Sequence, residues 1–304
     1  MLQAFYSLSI LKRIAIGFAV SIVSAYIVHI VFSFLFALAH GMSFYEYSHY
    51  FLDINSNNNR NIIHSKLFLQ ALVVFTVPAL ILIKALSPHG IKDAGICSTV
   101  SAKKAFLVAG VIVVFIPGIN LLSALNTGLV QTLISEDSIF HTLYQTNEKI
   151  LSFLLQGHGA SVLLKQLFFM AVVPAVAEEL FFRGAIQTYF ITFFKNKHVA
   201  IITAAAIFSI LHADIFNFIP RTLMGCIFGY MYYRYGTLWL PIIGHFIHNG
   251  IVVVIYYLIR TNSLPESAET FGQAGISISI GVVSLLIIGY ISFVFFRKRS
   301  VEVE

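Results

Sequence analysis

The sequence predicts an all-α chain, a polytopic membrane helical bundle with about eight transmembrane helices. Three observations predict it. Of 304 residues, 58% are hydrophobic and only 11% are charged, where a soluble domain carries roughly 25% charged residues. The mean hydropathy is +0.87, more apolar surface than one soluble core absorbs. The apolar residues also gather into runs long enough for the roughly 20 helical residues that cross a bilayer core about 30 Å thick. The 29 Phe and 14 Tyr suit lipid-facing and interfacial positions.

The expected spans are 14–38, 67–88, 104–125, 161–194, 199–213, 218–234, 238–259 and 275–296. The first begins like a signal peptide, with Lys12 and Arg13 before it and Ala37-Leu38-Ala39 after it. Its apolar stretch exceeds the roughly 7–15 residues of a signal h-region, so it reads as an uncleaved anchor. The run at 161–194 is too long for one straight crossing and is expected to tilt or continue into the interface. The run at 199–213 is short. Between spans, residues 40–65 are polar, with an asparagine-rich turn near their middle. Residues 126–160 alternate apolar and polar positions, as an amphipathic helix lying on the membrane does. Cys97 falls in a loop and Cys226 in an apolar run, so neither a disulfide nor a cysteine metal site is expected.

The net charge of +6 does not indicate nucleic acid, because the basic residues sit singly or in short clusters beside apolar runs. The bilayer is the expected partner. With a cytoplasmic N-terminus, twelve of the 19 Lys and Arg lie on the cytoplasmic side, five lie opposite, and Lys165 and Arg183 lie within a span. Both termini are then cytoplasmic, and the chain is an integral protein of the plasma (inner) membrane. It reads as one membrane domain in three stretches: 1–160, with helices and polar loops; 161–260, with most of the intramembrane polar residues; and 261–304, with the last helix and a basic tail.

Three polar sites interrupt the apolar runs. Glu178 and Glu179 lie in the fourth span with Arg183. At i and i+4, Glu179 and Arg183 share a helix face and can pair, which leaves Glu178, about 100° round the helix, without that partner. Phe208 and His212 share a face of the fifth span. His245 and Asn249 stand one turn apart in the seventh, with His248 beside them. Each group has a structural reading, as an interhelical ion pair, an interfacial histidine or helix-bridging hydrogen bonds. Together, a carboxylate, imidazoles and a carboxamide on three spans can meet only inside the bundle. There they can take a proton, hold a water and donate hydrogen bonds to an oxyanion.

The order Glu178-Glu179-Leu180-Phe181-Phe182-Arg183, then Phe208-Ser209-Ile210-Leu211-His212, then His245-Phe246-Ile247-His248-Asn249 resembles the CAAX protease and bacteriocin-processing family of intramembrane endopeptidases. These are also called Abi proteins or type II CAAX prenyl endopeptidases. The resemblance covers about residues 165–255 and implies that 161–260 is the catalytic, CAAX-protease-like core, with no family motif in 1–160. It implies peptide-bond hydrolysis in the membrane, on a peptide or protein substrate that is membrane-associated or lipidated. Carried over, Glu178 activates the attacking water and His212 orients it, while His245 and Asn249 stabilise the oxyanion. Glu179 belongs to the site as the partner of Arg183. Phe208 and His248 are supporting residues.

No cofactor is the favoured reading, and zinc is the alternative: Glu178, His212 and His245 would supply three ligands of an open catalytic site. HExxH is absent, and the resemblance implies a glutamate mechanism without metal. A GxSxG serine elbow is also absent. Two other functions compete: a proton-coupled transporter, since buried Glu, His and Arg also build proton relays, and a non-catalytic immunity or scaffold protein. The repeated halves and paired broken helices of carriers are not found.

Overall fold

The computed structural model of the chain describes residues 5–49 and 59–297. Most of the expected asparagine-rich turn lies outside the described residues. Among the described residues all regular structure is helical. In chain order the main helices are α1 (Ile10–Ala39), α2 (Phe44–His49), α3 (59–86), α4 (Ala102–Leu133), α5 (Ile139–Leu154), α6 (Ala160–Phe194), α7 (Lys197–Ile210), α8 (Phe218–Tyr235), α9 (Trp239–Arg260) and α10 (Ser277–Arg297).

Among the described residues, six helices are long and apolar enough to cross a membrane: α1, α3 over Ile62–Leu86, α4, α6, α9, and α10 over Ser277–Val294. The chain is an integral membrane protein. Two of the eight expected spans are not among these six. Both are helices, but α7 has only 14 residues, and α8 carries Arg221 and Arg234 within its 18. The polar stretch 40–65 is also partly helical, because α3 begins at Asn59. Within 126–160, α4 continues to Leu133 and the expected extra helix is α5.

The bundle is apolar outside and polar within. Ile22 (70% exposed), Tyr26 (67%) and Phe34 (56%) project from α1, while Glu179, Arg183 and Gln187 are buried in the middle of the bundle. In water this arrangement would be unstable; in lipid it lets polar groups satisfy one another while hydrocarbon covers the rest. α1 packs on α3, α10 on α4 and α7 on α8. Pro117 interrupts α4, and Ser284 of α10 fills the break: Gly118 N donates to Ser284 Oγ (3.0 Å), which donates to Val114 O (2.7 Å).

α6 is the helix that positions the site. It widens into π-helical turns at Phe168–Val172 and again at Leu180–Gln187. Pro174 follows the first; lacking an N–H, it cannot donate to the carbonyl of Met170. The second begins directly after Glu179. Such turns relax the i to i+4 ladder and often mark functional sites.

Candidate active site

The three motifs meet. α6 supplies Glu178 and Glu179, the turn after α7 supplies His212, and α9 supplies His245, His248 and Asn249. Arg183 Nη1 donates to Glu179 Oε1 at 2.9 Å, the pair read from their spacing. Arg183 Nη2 donates to the carbonyl of Gly225 on α8 at 2.8 Å. One turn on, Gln187 Nε2 donates to Gly229 O at 2.9 Å. Two side chains one turn apart on α6 thus hold two carbonyls one turn apart on α8. The close approach of α6 and α8 shows at Gly229, where a Cβ would lie 2.7 Å from Gln187 Oε1; at Gly225 a Cβ would lie 2.9 Å from that of Ala205 on α7, so α8 is also pressed close to α7. The guanidinium lies between the rings of Phe208 (5.3 Å) and Phe228 (5.7 Å), so Phe208 is the lid on a buried cation.

Both imidazoles are oriented through Nδ1. His245 Nδ1 donates to Glu179 Oε1 at 2.9 Å, and its ring stacks on Phe228 at 5.6 Å. His212 Nδ1 donates to Phe208 O at 2.7 Å. With Nδ1 committed in each ring, Nε2 is the nitrogen offered to the site. Glu178 Oε2 lies 3.9 Å from His212 Nε2 and 4.0 Å from His245 Nε2. It is buried and has no hydrogen-bond partner. Asn249 Nδ2 donates to Met170 O at 3.3 Å, the carbonyl that Pro174 cannot reach.

These separations discriminate between occupants. Two groups each about 2.8 Å from one water oxygen can stand about 4 Å apart at a hydrogen-bonding angle near 90°. Two ligands each about 2.1 Å from a tetrahedral zinc stand only about 3.4 Å apart. Among the described residues, no group of three or more His, Cys, Asp or Glu is placed to hold a metal. The separations of Glu178 Oε2 from the two Nε2 atoms are thus those of groups bridged by one water and longer than those between ligands of a tetrahedral zinc.

Around them is a cavity of about 410 Å³ that Glu178, His212, His245, His248 and Asn249 all line. It adjoins a second chamber of about 620 Å³, which Glu178, His212 and Asn249 share and which α5 walls with Asn147, Glu148 and Leu151. His248, read as a supporting residue, faces the first cavity.

The sequence reading missed several contributors. Asn126 on α4 pins the turn after His212: its Nδ2 donates to Ile215 O (2.9 Å) and Phe216 O (2.7 Å), and its Oδ1 accepts from Ile219 N (3.2 Å). Within that turn Ala213 takes a left-handed φ of 51°, a conformation that costs a non-glycine residue about 1–2 kcal/mol. Arg221 pairs with Asp214 at 2.9 Å and lines both chambers. Its signal was available: a cation inside the apolar run 218–234, which the rule applied to Arg183 also covers.

Residues 160–251 match the family model described as type II CAAX prenyl endopeptidase Rce1-like. Among curated proteins, YdiL of Bacillus subtilis, provisionally named a membrane peptidase, is 33% identical over 89 residues, 28% of this chain and 34% of that protein. The membrane-embedded CAAX protease MroQ of Staphylococcus aureus is 36% identical over 109 residues, 34% of this chain and 43% of that protein. The uncharacterized YpbD of Bacillus subtilis is 32% identical over 92 residues, 29% of this chain and 44% of that protein. The chain thus spans less than half the length of these relatives. No solved structure matches it. The match takes in α6 to the middle of α9, where all three motifs stand, so the resemblance to the CAAX protease family read in the sequence holds for residues 160–251.

Proposed function

We propose that this chain is an intramembrane endopeptidase that hydrolyses a peptide bond of a membrane-associated or lipidated substrate by glutamate-activated water. The observation that carries the reading is Glu178 Oε2: buried, without a protein partner, and facing two Nε2 atoms across gaps that a water spans.

In this mechanism a water donates one hydrogen to Glu178 and the other to His212 Nε2, which leaves an oxygen lone pair for the substrate carbonyl. Glu178 takes the proton as the oxygen attacks. The tetrahedral oxyanion is met by the second N–H of Asn249 Nδ2 and by an N–H at Nε2 of His245, whose ring Glu179 orients through Nδ1. Glu178 then passes its proton to the leaving amine as the C–N bond breaks. Arg183 positions Glu179 and touches no reacting atom. No step needs a metal, and metal-free hydrolysis is the form we favour.

The positive-inside distribution further supports an orientation with both termini cytoplasmic, in the plasma (inner) membrane. The test is terminal-peptide proteomics on membranes carrying the wild-type chain or Glu178→Gln. New peptide termini that depend on Glu178 are expected. Identical terminal profiles would count against hydrolysis and leave the scaffold reading standing.

A further inference from the structure

A third cavity lies against another face of α8 and shares no lining residue with the two chambers at Glu178. It is a groove between α4, α8 and α10, walled by Leu107, Val111 and Phe115, by Leu223 and Ile227, and by Ile291. Leu107 is 58% exposed, so the groove opens sideways to the surroundings, while Phe115 at 1% closes its deep end.

The polar groups gather at the other end. Lys104, in the first turn of α4, lies over the ring of Tyr235 at 5.2 Å, and Arg234 lies over the same ring at 6.0 Å. From Lys104 to Phe115 is eleven residues of helix, about 16 Å at 1.5 Å per residue. Half of a hydrocarbon core about 30 Å thick is about 15 Å. The groove therefore has the depth of one leaflet, an apolar wall along that depth, and cations where that leaflet's headgroups begin.

We propose that this groove binds an anionic phospholipid, with one acyl chain lying along α4 and α8 and the phosphate resting on Lys104 and Arg234. A zwitterionic lipid fills the groove equally well but gains less from the two cations, since a cation near a membrane surface contributes about 1 kcal/mol with anionic lipid, a factor of about five. The site needs no substrate and is independent of the peptidase reading.

The test is native mass spectrometry of the full chain, delipidated in detergent and then given equal amounts of dioleoyl phosphatidylglycerol and dioleoyl phosphatidylcholine. Phosphatidylglycerol should be retained on the order of twentyfold over phosphatidylcholine, and Lys104→Gln and Arg234→Gln should each reduce that ratio about fivefold. Val111→Trp, which fills the groove, should lower retention of both lipids. Its melting temperature is measured in parallel, and Ile227→Trp replaces it if it does not fold. Inorganic phosphate in excess should displace neither lipid. Equal retention of the two lipids, a preference that survives both charge substitutions, retention unchanged in the filled groove, or displacement by phosphate alone would each overturn the proposal.

Discussion

Glu179 Oε1 accepts hydrogen bonds from both Arg183 Nη1 and His245 Nδ1, each at 2.9 Å, so one carboxylate oxygen joins two helices and two motifs. Glu179 and Arg183 are almost fully inaccessible. Glu179→Ala therefore leaves a guanidinium buried with half its partners, a change that typically costs about 3–5 kcal/mol. The expected outcome is a large fall in melting temperature in detergent together with loss of activity. Glu179→Gln keeps an acceptor at the same place, so it should fold better than the alanine variant and still lose activity. Equal melting temperatures for Glu179→Ala and wild type would falsify this role.

Glu178 presents the opposite case. Its Oε2 has no protein partner, so Glu178→Gln removes a buried carboxylate without breaking a bond. Stability should hold or rise slightly. Activity should fall by about 10²–10⁴, the usual range for a positioned general base. The paired measurement is thermal unfolding and cleavage rate on one preparation. A destabilised but active variant is the outcome that fails the assignment.

The contrast between these neighbouring glutamates shows where the sequence was legible. The Glu179–Arg183 pair follows from i, i+4 spacing on a helix, and the spans follow from apolar runs of bilayer length. The Glu179–His245 bond joins residues 66 apart in sequence, and nothing in local spacing states how α6 and α9 are rotated toward each other. The π-helical turn over Leu180–Gln187 also breaks the 100° count used to place side chains around α6. Asn249 is an intermediate case. Pro174 announces a free carbonyl at Met170, but only packing shows that Asn249 takes it. α7 and α8 are read as spans from their apolar runs alone; as helices, α7 is shorter than the other six and α8 carries two arginines within its 18 residues.

Gly225 tests whether the anchor behind the site matters. Its carbonyl holds Arg183, and a Cβ there would lie 2.9 Å from Ala205 Cβ and 3.2 Å from Ala205 Cα. Gly225→Ala should push α7 from α8 and cost about 1–3 kcal/mol, as overpacking does. His212 follows α7, so cleavage should fall as well. Because the clash is mainly with one methyl group, Ala205→Gly in the same chain should restore part of the lost melting temperature. A double variant no better than the single one would place the cause elsewhere.

Outside the membrane spans, Glu148 on α5 walls the second chamber. Burial raises its pKa above the usual glutamate value, and the nearby charges of Glu269 and Asp214 raise it further. A carboxyl group with a raised folded-state pKa favours the neutral form in the fold, so stability falls as pH rises from 4.5 through the raised value. The side chain is exposed, so solvent screening holds the effect to about 0.2–1 kcal/mol. Glu148→Gln should flatten that part of the melting-temperature profile and leave the acid side unchanged. Superimposable profiles for the two proteins would reject the repulsion.

The last prediction concerns metal. Glu178 Oε2 stands 3.9 and 4.0 Å from the two Nε2 atoms, while tetrahedral zinc holds its ligands about 3.4 Å apart. Drawing three ligands inward would have to move His245 against its bond to Glu179 and His212 against its bond to Phe208 O. A bridging water asks for neither movement. Cleavage by the purified chain should therefore survive dialysis against EDTA, and added zinc should inhibit or do nothing, since it would compete with the water for the same three groups. Activity lost with EDTA and restored by zinc would show that the ligands do close on a metal, and would replace the glutamate-and-water mechanism while keeping the same residues.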